Sequence, residues 1–418
     1  MIRRIAKSLL ACAVTVVLAC TTAQAKNAAA YKQINLVSDL SNTAQIVDTN
    51  LANAWGISFT TDLTFLSNNV VTNPIVITNT IFTTNHNGHV ITTITRSNSF
   101  VVLTNLVFST NSLFWVNANL TGKALVYGVT NNAQSNPVVV KQGMEVTIPG
   151  DGNPTGLYFD EKGSISNNVF LFASEDGTIS GWNTNLDGTA EVITQRMTAV
   201  YKGIGVANTF SNGPVILAAN FAEGTVDKYG FLLDTNGTPT NFVLLAQYAD
   251  FRATNLGFAP FSIQIYKGEV FVLFAKQDSH KIDDVPGPGN GIVDILNPGS
   301  GQFTRFITGK GAKGNDKVIN SPWAFVVTPA TWGKDANRIL ISNFGDGTIG
   351  VYNLKGISQG KLPSNLGGDV TIDGLWGLTF GNGFNAGDPN ILYFTAGPTN
   401  ENHGLFGELI QLAPTKKK

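Results

Sequence analysis

The chain has 418 residues, a net charge of −1 and only 13% charged residues, and its one basic run is the three lysines at 416–418. Nucleic-acid binding requires clustered lysine and arginine side chains, so nucleic acid is excluded as an expected partner. Both cysteines, Cys12 and Cys20, precede residue 26, which leaves the rest of the chain without a disulfide or a thiolate site.

The first residues have the pattern of a signal peptide. Three basic residues between positions 3 and 7 precede an apolar stretch at 9–19, and Ala-Gln-Ala at 23–25 is a small-residue cleavage site. We predict cleavage after Ala25 and a secreted or periplasmic protein. Lipidation at Cys20 is the alternative, although Leu18 fits the lipoprotein pattern poorly. The apolar stretch is too short for a spanning helix, so no transmembrane segment is expected after cleavage.

Six segments rich in small residues recur along the chain, and each precedes two β-rich runs. Small residues are expected in the innermost strands of a propeller, because these strands crowd around the central axis. We predict six blades. The inner strands are at 53–59, 154–159, 201–206, 260–265, 321–326 and 374–380; the second strands are at 113–116, 169–173, 215–219, 270–275, 338–342 and 391–396; the third strands are at 124–129, 178–182, 225–229, 291–296, 348–352 and 405–412.

Three short segments between second and third strands are near copies. Asp176-Gly177, Glu223-Gly224 and Asp346-Gly347 are each followed by threonine and a β-branched residue. An acidic residue and a glycine between two β-rich runs predict a hairpin turn, because glycine tolerates positive φ. Repeated hairpins at this spacing indicate a β-propeller.

The last blade has only three predicted strands, and the segment 31–37 near the amino end is a strand without a sheet. We predict that it completes the last blade, which removes the free edges where the ring closes. The predicted fold is an all-β, six-bladed β-propeller over residues 26–414, with a basic tail at 415–418.

Residues 61–112 exceed the repeat and form an insertion in blade one. Runs of valine and isoleucine alternate with threonine and asparagine, and Asn87-Gly88 is a two-residue turn signal. We predict one or two inserted hairpins; the alternative, a disordered spacer, disagrees with the β-branched content. His86 and His89 flank the turn, and without a third ligand nearby they indicate a polar hairpin tip rather than a metal site.

Several motifs are shared with a known family: 35–39, 54–59, 173–182, 218–221, 275–291, 373–383 (DGLWGLTFGNG) and 394–407 (FTAGPTNENHGLFG). By these motifs the chain resembles secreted bacterial β-propellers related to NHL-repeat proteins, most of which have no known function. The resemblance covers nearly all of the chain after residue 25, apart from the insertion. It implies the fold and export, and it implies no activity.

The link 276–290 of blade four is a long charged loop in a chain that is poor in charge. It contains Asp278, His280, Asp283 and Asp284. Loops on a rigid scaffold commonly carry function, and carboxylates are ligands for Ca²⁺, so Asp283 and Asp284 are candidate metal ligands. The alternative is a loop that only covers the channel mouth or a neighbouring blade.

The corresponding link of blade six contains Glu401 and His403. Corresponding links emerge on one face of a propeller, so His280 and His403 are predicted to share a face. Beside carboxylates, such a pair would transfer protons or hold a divalent metal. The sequence does not show that the two histidines converge.

Polar residues precede several inner strands, namely Asn53, Asn153, Asn320 and Asp373. We expect them to ring the channel mouth at the face opposite the links between second and third strands. Their oxygens would suit a calcium-dependent hydrolase or lyase, and the alternative is capping of free backbone amides.

Trp55, Trp323 and Trp376 occupy matching positions in their inner strands. Three aromatic rings at one level of the channel could form a floor that stacks against a sugar. Packing between adjacent blades is the alternative explanation.

The first functional hypothesis is a binding or scaffold module in the periplasm or at the cell surface, with an extracellular protein or glycan as its partner. The alternative is a metal-dependent lyase or hydrolase that uses Ca²⁺ or Zn²⁺ in the channel. A third hypothesis is a structural protein that self-associates through the insertion. The sequence does not decide whether the protein is an enzyme.

Overall fold

The computed structural model describes residues 30–60, 80–84, 90–94, 112–209, 213–309 and 316–412. The predicted signal peptide with Cys20, the histidines His86 and His89, and the basic tail lie outside these residues. Cleavage after Ala25 therefore stays a prediction. Within the described ranges, no helix is long and apolar enough to cross a membrane.

The described residues form six blades, and blades one to five have four strands each, taken in chain order. Blade one contains β3 (Ala54–Phe59), β6 (Phe114–Ala118), β7 (Lys123–Asn131) and β8 (Pro137–Thr147); blade two contains β9 (Pro154–Phe159), β10 (Phe170–Ser174), β11 (Thr178–Trp182) and β12 (Glu191–Gln195); blade three contains β13 (Tyr201–Thr209), β14 (Gly213–Asn220), β15 (Thr225–Leu233) and β16 (Pro239–Tyr248). Blade four contains β17 (Phe258–Tyr266), β18 (Glu269–Lys276), β19 (Gly291–Leu296) and β20 (Phe303–Thr308), and blade five contains β21 (Pro322–Val327), β22 (Ile339–Asn343), β23 (Thr348–Tyr352) and β24 (Ser358–Lys361). A short helix, α1 (Phe251–Thr254), and a 3-10 turn (Gly333–Asp335) complete the regular structure of these blades.

Blade six closes the ring with strands from both ends of the described chain. Its strands β25 (Leu375–Phe380), β26 (Leu392–Ala396) and β27 (Leu405–Leu412) are joined by β1 (Ala30–Ser38), with β2 (Ile46–Val47) beyond it. Strand β1 pairs antiparallel with β27, from Ala30 opposite Leu412 to Ser38 opposite Leu405. The inner strands contact one another in sequence, and β25 contacts β3. The predicted six-bladed ring and its closure by the N-terminal strand are confirmed.

The copied turns have the predicted backbone conformation. Gly177, Gly224 and Gly347 have φ values of 78°, 71° and 67°, a region that side chains with a Cβ rarely adopt. In the first turn, a carboxylate oxygen of Asp176 accepts a hydrogen bond from the Thr178 amide at 2.9 Å. Glycine therefore supplies the reversal, and the acidic side chain caps a backbone donor.

The insertion in blade one contains a hairpin. Strands β4 (Thr80–Thr84) and β5 (Val90–Ile94) pair antiparallel, from Thr80 opposite Ile94 to Thr84 opposite Val90. The predicted hairpin is confirmed in its strands, and its turn lies outside the described residues. The insertion follows Thr60, whose amide bonds the Leu113 carbonyl at 3.2 Å.

Aromatic side chains fill the middle of the channel. Trp376 stacks on Trp55 with ring centroids 3.8 Å apart and on Phe344 at 3.7 Å, while Trp323 meets it edge-on at 6.1 Å. All three tryptophans are at most 4% exposed. They are core residues packed between blades, as the alternative explanation predicts.

The direction of the strands defines two faces of the ring. An inner strand and the second strand run antiparallel, as in β17 and β18. The start of an inner strand therefore lies at the same face as the link that follows the second strand. We call this the start face and the opposite one the end face. The expectation that inner-strand starts and these links lie on opposite faces was wrong, because it ignored this alternation.

Candidate ligand site at the start face of the channel

A cavity of about 260 Å³ opens at the start face. The aromatic residues Trp55, Trp376 and Phe261 line its inner side. Five blades contribute its polar lining through inner-strand starts and through links between second and third strands. The charged and carboxamide residues are Asn53, Asn119, Asn153, Glu175, Lys202, Asp283, Asp284, Asn400, Glu401 and Asn402. Four carboxyl groups face one ammonium group, so we call it the acidic cavity.

Lys202 is a buried cation in the wall of this cavity. It is 2% exposed, and its ammonium group forms an ion pair with Glu175 and lies 3.8 Å from Asp283. Burial alone would lower the pKa of Lys202, but the negative charges of Glu175, Asp283 and Glu401 outweigh it and raise the pKa. The side chain therefore stays protonated at neutral pH. It lies over the Trp55 ring, 5.2 Å from the centroid.

A chain of amide groups orients the carboxylates. Asn53 donates to Glu401 at 2.8 Å and to Asn119 at 3.2 Å, and its own oxygen accepts from the Trp376 indole at 3.2 Å. Asn119 donates in turn to Glu175 at 3.3 Å. Asn53 has a positive φ of 50°, which asparagine tolerates better than most residues. The network fixes both glutamates before any ligand arrives.

Glu401 lies in a strained turn. Thr399, Asn400 and Glu401 are consecutive non-glycine residues with φ values of 60°, 52° and 65°. Such conformations cost on the order of 1–3 kcal/mol each and cluster at functional sites. Burial raises the pKa of Glu401, and the nearby carboxylates Glu175 and Asp283 raise it further, against opposing contributions from Asn53 and Lys202.

The blade-four link brings two predicted residues to the cavity. It folds on itself through the Asp278 amide, which donates to the Asp283 carbonyl at 2.8 Å, and through a bridge between Gln277 and Asp284. Burial raises the pKa of Asp284, and its Oδ2 meets no partner in hydrogen-bond geometry. Asp283 and Asp284 thus lie with Glu401 and Asn53 around one cavity.

The predicted histidine pair does not form. His280 is 82% exposed and its nearest polar partner is Asp278 at 3.3 Å, whereas His403 bonds Asp39 at 2.8 Å in blade six. Neither imidazole lines the cavity. Asp278 accepts from the Ile282 amide at 3.0 Å, so it holds the turn of its own link.

Two of the four channel-mouth candidates have backbone-capping roles instead. Asn320 accepts from the Gly287 amide at 2.7 Å, and the exposed Asp373 accepts from the Thr399 amide at 2.7 Å. Neither lines the cavity, whereas Asn53 and Asn153 do. The capping alternative is therefore correct for Asn320 and Asp373.

Sequence reasoning missed Lys202, Glu175, Asn119, Asn400 and Asn402. A signal for Lys202 was present: it is a charged residue in an inner strand otherwise made of apolar and small residues. Glu175 directly precedes the Asp176-Gly177 turn without a signal of its own, and nothing in the sequence separates Asn119 from many other asparagines. In the part of the chain that the structure describes, no group of three or more His, Cys, Asp or Glu side chains is arranged to hold a metal ion.

Comparisons with known proteins assign no activity to this chain. No family model matches the chain. An uncharacterized protein of Acanthamoeba polyphaga mimivirus is 28% identical over 62% of this chain, and the match spans 61% of that protein. A second uncharacterized protein of the same virus is 25% identical over 72% of this chain and 78% of its own length.

Among solved structures, regucalcin from Agrobacterium tumefaciens, described as a calcium-binding protein, is 17% identical, with a TM-score of 0.38 over 72% of this chain and 86% of that one. A 6-phosphogluconolactonase-like protein from Bacteroides uniformis is 12% identical, with a TM-score of 0.34 over 70% of this chain and 78% of that one. Both TM-scores are below 0.5, so these likenesses assign no activity to this chain.

Proposed function

We propose that the protein is an exported binding module that holds a small polyhydroxylated ligand, of monosaccharide size, in the acidic cavity. The observation that carries the proposal is the convergence of Glu401, Asp283, Asp284 and several asparagines around 260 Å³ of space. Pockets for drug-sized ligands span about 300–1,000 Å³, so a smaller molecule fits this one.

The chemistry of the lining selects the ligand. Carboxylates accept hydrogen bonds from hydroxyl groups, and carboxamides both donate and accept, so this lining suits a molecule with several adjacent hydroxyls. The ammonium of Lys202 is already paired with Glu175, which leaves the remaining charge negative. Neutral sugars and amino sugars are therefore favoured over sugar phosphates or sugar acids. Export rests on the leader that the sequence predicts.

The test is isothermal titration of the purified protein with a panel of neutral, amino and acidic monosaccharides. We expect a neutral or amino sugar to bind, and Glu401→Gln to weaken binding at least tenfold. Glu161→Gln is the matched control, because Glu161 is exposed and does not line the cavity. Preference for acidic sugars, or unchanged affinity in the Glu401 variant, would contradict the proposal.

A lyase or hydrolase is the second candidate, and the raised pKa of Glu401 is the observation that favours it. A carboxyl group that holds its proton closer to neutrality is suited to proton transfer. The metal-dependent form of this hypothesis would need Asp283, Asp284 and Glu401 to move closer together, because these described side chains are not arranged as a site for Ca²⁺ or Zn²⁺.

Metal analysis separates the two candidates. A stoichiometric metal whose removal by chelator lowers the melting temperature, and whose binding Asp283→Asn abolishes, would support the metal-dependent enzyme. A protein that binds neither Ca²⁺ nor Zn²⁺ and melts at the same temperature with and without chelator would exclude it.

A further inference from the structure

A second cavity lies at the end face, on the other side of the aromatic residues that fill the channel. Its volume is about 500 Å³, and Trp323 contributes to its inner side. All six inner strands supply its wall, through residues such as Phe59, Phe159, Tyr266 and Phe380. The space is therefore enclosed on every side by the ring.

The lining of this second cavity has no charged side chain. Apolar and aromatic groups dominate, and Ser58, Gln264 and Thr379 add polar groups. Each inner strand is the terminal strand of its sheet, so one backbone edge of every blade also faces the channel. We call this space the uncharged cavity, in contrast to the acidic cavity at the start face.

We infer that the uncharged cavity is a second ligand site, which takes a neutral small molecule with an aromatic or alicyclic body and a few hydrogen-bonding groups. The volume lies in the range of about 300–1,000 Å³ that is usual for small-molecule sites. The lining combines apolar side chains with uncharged polar groups, which suits a ligand that has both an apolar body and hydrogen-bonding groups. An ion would lose its hydration without gaining a partner of opposite charge, so charged ligands are rejected.

The enclosed shape favours a small molecule over a protein partner. A docking surface for a folded protein is broad and of standard size about 800 Å² per partner, whereas this space is a recess between six strands. The inference is independent of the proposed function, because the aromatic residues Trp55, Trp376 and Trp323 separate the two cavities.

The test is fluorescence titration with N-phenyl-1-naphthylamine, an uncharged aromatic probe that brightens in apolar surroundings. Ser58→Trp and Thr379→Trp place a large side chain in the cavity without removing a core residue, and Gln264→Glu places a charge there. Thr304→Trp is the matched control, because Thr304 is exposed on the outer strand β20. Circular dichroism melting selects the variants that fold.

We expect one probe per wild-type chain, a loss of affinity of at least tenfold in each folded cavity variant, and wild-type affinity in Thr304→Trp and Glu401→Gln. Absence of stoichiometric binding to the wild type would overturn the inference. So would equal affinity in the cavity variants and the control, since the probe would then sit elsewhere. A dimer that dissociates as the probe binds would also overturn it, by showing that a second copy is the occupant.

Discussion

A buried carboxyl group in the closing blade predicts a pH-dependent stability that one substitution should remove. Glu408 in β27 is 0% exposed, and neither carboxyl oxygen has a partner in hydrogen-bond geometry. Burial raises the pKa of Glu408 to about 7; the Tyr393 hydroxyl lowers it by less, and the Asp388 charge raises it slightly. The folded protein therefore holds this proton more tightly than the unfolded chain does.

The sign follows from that order of proton affinities. As pH rises above 4.5, the unfolded chain loses the proton first, so the free energy of unfolding falls until the folded state also ionises at about pH 7. Each pKa unit corresponds to ~1.4 kcal/mol, so the shift from 4.5 to about 7 gives a full loss of ~3–4 kcal/mol. Most of it, ~2–3 kcal/mol, should occur between pH 5 and 8.

The assay is urea unfolding of the wild type and Glu408→Gln at pH 5 and pH 8. The amide cannot ionise, so the free energy of unfolding of the variant should fall by ~2–3 kcal/mol less than that of the wild type over this range. At pH 5 the protonated carboxyl lacks partners as the amide does, so the prediction concerns the change of stability with pH and not the stability at one pH. Asp294, whose pKa burial raises to about 7, contributes equally to both proteins.

Glu161→Gln, at an exposed site, should keep the wild-type slope. If Glu408→Gln also keeps the wild-type slope, Glu408 ionises in the folded state without cost and the reasoning from its burial is refuted.

Three further substitutions probe closure, turns and the acidic cavity. Leu36→Ala removes a fully buried side chain of the closing strand, and should lower the free energy of unfolding by ~2–4 kcal/mol in urea titrations; a loss below ~1 kcal/mol would contradict closure by β1. Gly347→Ala should lower the melting temperature more than Gly237→Ala does. Both glycines have positive φ, but only the Cβ added at Gly347 would lie 2.2 Å from a backbone oxygen. Equal decreases in melting temperature would refute the clash. Lys202→Met should lower the free energy of unfolding by ~3 kcal/mol, because it leaves Glu175 without its cation. The double variant with Glu175→Gln should recover part of this loss. Strictly additive losses in the two single variants would argue against the ion pair.

Most of the fold could be predicted from the sequence, because each blade repeats the same local rules. Turn glycines such as Gly177 and Gly347 need positive φ. The apolar runs on either side of them are short and β-rich, so they predict strands. The closing strand was predictable because the last blade lacked a partner. These inferences concern neighbours in the chain or a missing strand, so a single sequence suffices for them.

The site depends instead on how separate blades meet. Asp283 and Glu401 were found because their links carry unusual charge, but their approach to Asn53 and Lys202 depends on strand direction and on the order of blades around the ring. The alternation of antiparallel strands would have placed them on one face. The direction in which the side chains of His280 and His403 point could not be predicted. Asp39, the partner of His403, lies in a different part of the sequence.

The pairing of Ala30 with Leu412 also determines which face of the ring carries the two ends of the described chain. Strand β27 runs toward the end face and β1 begins there, so both ends of the described chain lie side by side at the face where the uncharged cavity opens. Any anchor or neighbouring domain attached at either end would hold that face inward. The acidic cavity, on the opposite face, would then open away from the attachment and toward the solvent.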